Sequence, residues 1–185
     1  EVLIRSMRFL PDEVKLWIAS DGPDTKRLQK ATEDDSRIEW LGRISEEEKI
    51  ERLQKCSLFC APSLGGESFG IVLLEAMASG ALIVASDIPG YSKLTRGGKD
   101  ALLFKAGDST ALSKALEKGL YEPEVSQTTV ESAMLRAKEF SMVELAERYI
   151  QIYQKAITLT PTVPLAKGRQ FFTQRALNSK NFRIR

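Results

Sequence analysis

The sequence has no histidine among its 185 residues and only two cysteines, Cys56 and Cys60. The first absence excludes, within this chain, Ser-His-Asp triads, Cys-His pairs, HExxH zinc sites and any imidazole acid–base step. Two thiols are too few for a disulfide framework and cannot form a zinc finger unaided. No apolar run approaches the ~20 residues that span a bilayer. The first residues also lack the ordered basic, apolar and small-residue regions of a secretory signal. A reducing, cytoplasmic compartment is the default expectation. No spaced Asp-x-Asp occurs, and turns and helix starts account for Asp21, Asp24, Asp34 and Asp35 better than a metal does. No metal and no cofactor are expected.

Charge is present in both signs, and its distribution is uneven. The net charge is +2, from 27 basic and 25 acidic residues. Residues 160–185 hold six of the basic residues and none of the acidic ones, which leaves the body before them at −4. An acidic body without a recognition motif argues against a nucleic-acid partner. The basic segment admits three readings: a solvated extension, a segment anchored on another domain by Phe171, Phe172 and Phe182, or a patch drawn to the anionic inner face of a membrane.

Short apolar runs alternate with amphipathic stretches. A helix over about 1–10 stops near Pro11. Strands follow at VKLWIAS (14–20), RIEWLG (37–42), CSLFCAPS (56–63), ALIVAS (81–86) and ALLF (101–104). Helices fall at about 24–33, 45–54, 69–79, 90–96, 109–120, 124–138 and 141–157. Ser45 with Glu48, and Ser141 with Glu144, have capping-box spacing. Continuous apolar strands alternating with helices predict an α/β fold, a Rossmann-like parallel sheet with helices on both faces. The domain is expected over 1–158, with 159–185 as an extension. Trp17 and Trp40 are expected in the core. Cys56 and Cys60, four apart, are expected on one strand face as buried structural thiols.

The chemistry concentrates in CAPSLGGESFGIVLLEAMASGALIVASDIPG, residues 60–90. A strand ends near Ala61, and a glycine-rich turn leads into a helix expected from about Ser68. Its N-terminus would present unpaired N–H groups and the positive end of the helix dipole to an anion. Gly65, Gly66 and Gly70 would let a ligand approach the backbone. Glu75 follows Ser68 by seven residues, which on a helix puts both on one face roughly 10 Å apart. That spacing suits a nucleotide sugar, with Glu67 projecting into the same cleft. The plainer reading also stands at this point: such turns are generic in α/β proteins, and two glutamates eight apart are often solvated charges.

The run from Glu67 to Glu75 resembles the E-x7-E element of family 4 retaining glycosyltransferases, which have the GT-B fold. APS before the loop, EAMASG after Glu75 and VASDIPG further on are similar as well. GGESFGIVLLEAMASG particularly resembles the actinobacterial phosphatidylinositol mannosyltransferases within that family. The resemblance covers about residues 1–158. It implies that Glu75 holds the ribose hydroxyls of a sugar nucleotide and that Glu67 contacts the transferred hexose as the catalytic-site carboxylate. Gly66 and the backbone of Ser68, Phe69, Gly70 and Ile71 would meet hexose and diphosphate, and Gly42, Arg43 and Ile44 would lie by the nucleobase. Read from the residues alone, Asp87 after the fourth strand is loop chemistry, with lining of the acceptor side as the minor alternative.

The implied donor is GDP-mannose, with a UDP-sugar or a non-catalytic sugar-nucleotide module as alternatives. The implied acceptor is a lipid or glycan hydroxyl carried by an N-terminal domain. Ser20 stands where the family usually has glycine, and Ser141-Met142 stands where it usually has Ser-Trp. The resemblance further implies a first, central strand and a Gly-Arg…Lys-Gly loop ahead of Glu1, so the chain reads as the C-terminal half of a GT-B fold without its first strand. A slot about two strand spacings wide (roughly 10 Å) is the consequence. Taken alone, such a chain is expected to be inactive and to fold poorly or borrow a strand.

Overall fold

A computed structural model of the chain describes residues 1–158, so the expectations for 160–185 lie outside the described residues. The described residues fall into two units, Glu1–Ser141 and a second that begins at Met142.

In the first unit strands and helices alternate as expected. Helix α1 (Val2–Ser6) runs into a 3-10 turn at Met7–Phe9 before Pro11. Then come β1 (Leu16–Ala19), α2 (Thr25–Lys30), β2 (Ile38–Gly42), α3 (Glu46–Lys55) and β3 (Leu58–Ala61). They are followed by α4 (Ile71–Ala78), β4 (Leu82–Ser86), α5 (Pro89–Leu94), β5 (Leu102–Phe104), α6 (Ser109–Tyr121) and α7 (Pro123–Lys138). Ser45 caps α3, its Oγ accepting from the Glu48 N–H at 3.1 Å. Asp108 caps α6 through the amides of Thr110 and Ala111.

All pairings are parallel, as βαβ connections require. They form two sheets instead of one: β1 pairs with β2, and β3, β4 and β5 lie side by side in that order. The division falls between the strand pair and the strand trio. A shift of register between Ile18 and Ala19 ends the pair, bringing Ala19 opposite Gly42.

Strand β4 is the centre of the core. Ile83 and Ala85 pack with Leu73, Ala76 and Met77 of α4, Tyr91 and Leu94 of α5, and Ala133 and Ala137 of α7. Val84 packs with Phe104, with Leu112 and Leu116 of α6, and with Met7 and Leu10. The alternation follows from the two-residue period of a strand and places helices on both faces. Leu16 of β1 and Ile38 of β2 join the second cluster only at its margin. The two sheets therefore share apolar packing without a shared ladder.

A buried ion pair shapes the turn into β5. Asp100 is 0% exposed. It accepts from Arg96 Nε at 2.8 Å and Nη2 at 2.6 Å, and from Ser132 Oγ on α7 at 2.7 Å. Burial pushes the carboxyl upward, but the Arg96 and Ser132 hydrogen bonds outweigh it and hold it below its ordinary value.

Two expectations change. Cys56 lies at the C-terminal end of α3, not on a strand, and its Sγ donates to Leu53 O at 3.3 Å. Cys60 lies on β3 and packs on the opposite side of the sheet from Cys56. The strand begins only at Leu58, so the two thiols share no face. Burial pushes the Cys60 thiol up to about 12, which keeps it protonated and inert. Trp17 is not a core residue. It is 42% exposed, and its ring is covered by the Arg52 guanidinium at 4.8 Å. Trp40 is half-buried and donates from Nε1 to Thr32 Oγ1 at 3.1 Å.

In the second unit, α8 (Met142–Thr158) carries Leu145, Tyr149, Ile152, Tyr153 and Ala156 along one stripe, and the rings of Tyr149 and Tyr153 stack at 6.2 Å.

Candidate functional site

The site lies at the C-terminal ends of the strands, where ligands bind in open parallel sheets. Residues 62–70 connect β3 to α4, and α4 starts at Ile71, three residues later than the sequence suggests. Gly70 is the reason. At φ +88° it is left-handed, a conformation that costs a side-chain-bearing residue roughly 1–2 kcal/mol and cannot continue a right-handed helix. Ser68 and Phe69 are therefore loop residues, and the one-face relation of Ser68 to Glu75 does not hold. The amides left without an intrahelical acceptor are those of Ile71 and Val72, immediately after the turn. Ile71 and Glu75 are four apart on α4 and share its exposed side.

Four contacts hold this loop. Ser63 Oγ lies 3.0 Å from the hydroxyl of Tyr91, which is buried on α5. A Cβ on Gly70 would lie 2.8 Å from the Tyr91 ring, so tyrosine fills the side of Gly70 where a side chain would point. A Cβ on Gly90 would lie 2.3 Å from the Glu67 carbonyl oxygen, so the first turn of α5 supports the backbone of Glu67 directly. Phe69 adds an edge-to-face contact to Phe140 at 5.4 Å, and the Arg136 guanidinium covers Phe140 at 4.6 Å. The Tyr91 hydroxyl is pushed upward by burial and, more weakly, by the nearby Glu67 charge, against the hydrogen bond to Ser63.

The remainder of the loop faces solvent. Gly65, Gly66, Glu67 and Ser68 are exposed, and Leu64 and Ile71 are 72% and 66% exposed. No side chain or backbone lies within 4 Å of the Cβ positions of Gly65 and Gly66, which leaves the backbone open there. Large apolar side chains beside a glycine turn and two carboxylates form a surface suited to covering by a ligand.

Gly42, Arg43 and Ile44 follow β2. Gly42 accepts through its carbonyl from the Ser20 N–H at 2.6 Å. Arg43 is exposed and its Nε reaches Asp21 at 3.6 Å. Ile44 leads into the Ser45 cap of α3. One turn along that helix stands a residue the sequence reading passed over: Lys49, whose Nζ lies 3.0 Å from Glu75 Oε2 and 2.7 Å from Glu46 Oε2. These carboxylates, Glu46 first, raise the Lys49 ammonium above its ordinary value. The cap supplies the missed signal. A helix fixed at Ser45 puts Lys49 on the same face as Leu53, which is buried against α4. Asp87 is exposed after β4, its N–H donating to Phe104 O at 2.7 Å. Among the described residues no cluster of metal-ligating side chains is found.

Solved structures define the class. The fold matches Anabaena HepE in complex with UDP-glucose at TM-score 0.75 and 21% identity, covering 83% of this chain and 44% of that one. It matches sucrose-phosphate synthase from Thermosynechococcus elongatus at TM-score 0.74 and 24% identity, covering 86% and 42%. This is the α/β fold of GT-B glycosyltransferases. The profile of the glycosyl transferases group 1 family matches residues 1–121, and the chain belongs to that family. The phosphatidyl-myo-inositol mannosyltransferase of Mycobacterium leprae is 32% identical over 155 residues, 84% of this chain and 41% of that protein. The alpha-maltose-1-phosphate synthase of Mycolicibacterium smegmatis is 30% identical over 164 residues, 80% and 42%. The chain thus spans about two fifths of the length of these curated relatives.

Proposed function

We propose that this chain is the sugar-nucleotide half of a retaining mannosyltransferase that moves mannose from GDP-mannose to a lipid or glycan hydroxyl. The observation that carries the proposal is the Glu67–Glu75 segment. In it a left-handed glycine delivers two free amides, Ile71 and Val72, between one carboxylate on the loop and another on the second turn of α4.

In this reading the diphosphate lies over the start of α4, where amides and helix dipole favour negative charge. Ser68, Phe69 and Gly70 line the hexose and phosphates, Glu67 orients the hexose hydroxyls, Glu75 accepts from the ribose hydroxyls, and Gly42–Ile44 flank the base. The bond from the anomeric carbon to the phosphate oxygen breaks, and a bond to the acceptor oxygen forms on the same face of the sugar. The acceptor proton passes to the departing diphosphate. Charge develops on the diphosphate as it leaves, so fixed amides aimed at it lower the barrier without a protein nucleophile.

The names of the mannosyltransferase relatives support the mannosyl donor and a lipid acceptor. A UDP-sugar is the second reading, favoured by the UDP-glucose complex of the HepE neighbour. No helix among the described residues is long and apolar enough to cross a membrane, and the contact proposed here is a peripheral one with the anionic inner face. Vesicle co-sedimentation of the full-length protein, with and without residues 160–185, tests that contact.

Calorimetry of the full-length protein carrying this chain, with GDP-mannose and UDP-glucose, tests the donor. Glu75→Ala is expected to weaken donor binding about tenfold or more, the loss of roughly one charge-assisted hydrogen bond. Unchanged affinity would sink the assignment.

A further inference from the structure

Lys49 and Glu75 come from different helices and meet in an ion pair at the edge of the candidate site. Both are half-buried, with side chains 26% and 37% exposed, and this is the one ion pair Glu75 makes among the described residues. The pair is held from both sides. The capped start of α3 fixes where Lys49 emerges, and Leu53, one turn further on the same face, packs in the core cluster that includes Leu73, Ala76 and Met77 of α4.

We infer that Lys49 is a positioning residue that pins Glu75 in the orientation needed to receive a ribose diol. The inference rests on the reading of Glu75 as the ribose ligand and adds a residue that reading does not contain. A carboxylate has two oxygens and about four acceptor positions. The ammonium occupies Oε2, leaving Oε1 and the remaining lone pair of Oε2 for two adjacent hydroxyl donors. Without Lys49, Glu75 would sample the rotamers open to a partly exposed helical glutamate and lose that freedom on binding.

Charge gives Lys49 a second effect. A nucleoside diphosphate brings negative charge to a region that already holds Glu67, Glu75 and the three glutamates at 46–48. An ammonium between Glu46 and Glu75 offsets part of that repulsion.

The test uses the full-length protein and compares GDP with 2′,3′-dideoxy-GDP, and UDP with its dideoxy counterpart. The readout is the ratio of the two dissociation constants within one preparation, which a loss of folded fraction does not change. Wild type is expected to favour the ribonucleotide about tenfold or more, and Glu75→Ala to abolish the preference. Lys49→Met and Lys49→Gln are each expected to cut it about three- to tenfold, Lys49→Arg to restore most of it, and Lys49→Met to add nothing in the Glu75→Ala background. If the preference is absent in wild type or survives Glu75→Ala, the ribose role of Glu75 fails, and the inference with it. If it vanishes in Glu75→Ala but persists undiminished in Lys49→Met and Lys49→Gln, the ribose role stands and the positioning inference is overturned. Tighter ribonucleotide binding by Lys49→Met would overturn it too, since the ammonium would then be competing with the ribose.

Discussion

The strand trio and the strand pair are built from similar sequence and end up in different physical states. LIVAS on β4 and LWIA on β1 are both continuous apolar runs. Every residue of β4 is buried, because strands lie on both sides and helices on both faces. On β1 burial alternates, Trp17 and Ala19 are exposed, and β2 is its single ladder partner among the described residues. What a strand buries is decided by its neighbours as much as by its own residues. The difference bears on function. The loop from Ser63 to Gly70 stands on the trio and is held by Tyr91, Gly90 and Phe140. Gly42–Ile44 stand on the pair, whose core contacts are marginal. In the proposed reading, the end of the site assigned to the phosphates is therefore prearranged, while the end assigned to the base rests on the weaker framework.

Truncation gives the largest contrast. Ile83→Ala should cost about 2–5 kcal/mol, as for a fully buried aliphatic side chain, and Ile18→Ala on β1 about half as much. Urea titration of the full-length protein measures both, and equal losses would erase the distinction between the sheets.

Asp100→Asn probes the trio's polar support and should cost about 1–3 kcal/mol, since it leaves Arg96 without its anion. The Asp100 carboxyl sits below its ordinary value in the folded chain. Its contribution is therefore complete above the unfolded value of about 3.9 and is lost as pH falls through the folded one. Stability measured from pH 6 downwards should fall less steeply in Asp100→Asn than in wild type. An unaltered acid limb would remove this pair from the account.

Ser20→Gly should strengthen the pair. Ser20 holds φ +77° at the end of β1, and relief of that strain, less the entropy glycine adds to the unfolded chain, leaves a gain of about 0.5–1 kcal/mol. A rise of roughly 2 °C in the melting temperature is expected, and a fall would contradict the strain argument. The smallest effect belongs to Arg52→Met, which uncovers the Trp17 ring at a cost of about 0.5 kcal/mol. A red shift in tryptophan emission would report the exposure.

The alternation of elements was legible because strands and helices have different apolar periods and because Ser45, Pro11 and the glycine turns punctuate them. The glutamate pair and its loop were legible as a motif. The expected helix start at Ser68 failed because nothing in SFGIV announces that Gly70 turns left-handed. Its conformation is set by Tyr91, which occupies the space a side chain would need. The family's usual glycine at position 20 was visible as a departure, and its meaning came only with the left-handed backbone at Ser20.

By itself, then, the sequence determined the α/β class, the order of the elements, the carboxylates at 67 and 75 and the absence of imidazole chemistry. Each of these depends on local pattern or on residue type alone. The tertiary structure decided that the strands form two sheets, that Trp17 is exposed, that the loop is braced by α5 and that Lys49 faces Glu75. Those outcomes depend on which distant segments pack together. Lys49 and Glu75 are 26 residues apart, and only the packing of α3 on α4 brings the ammonium and the carboxylate into contact.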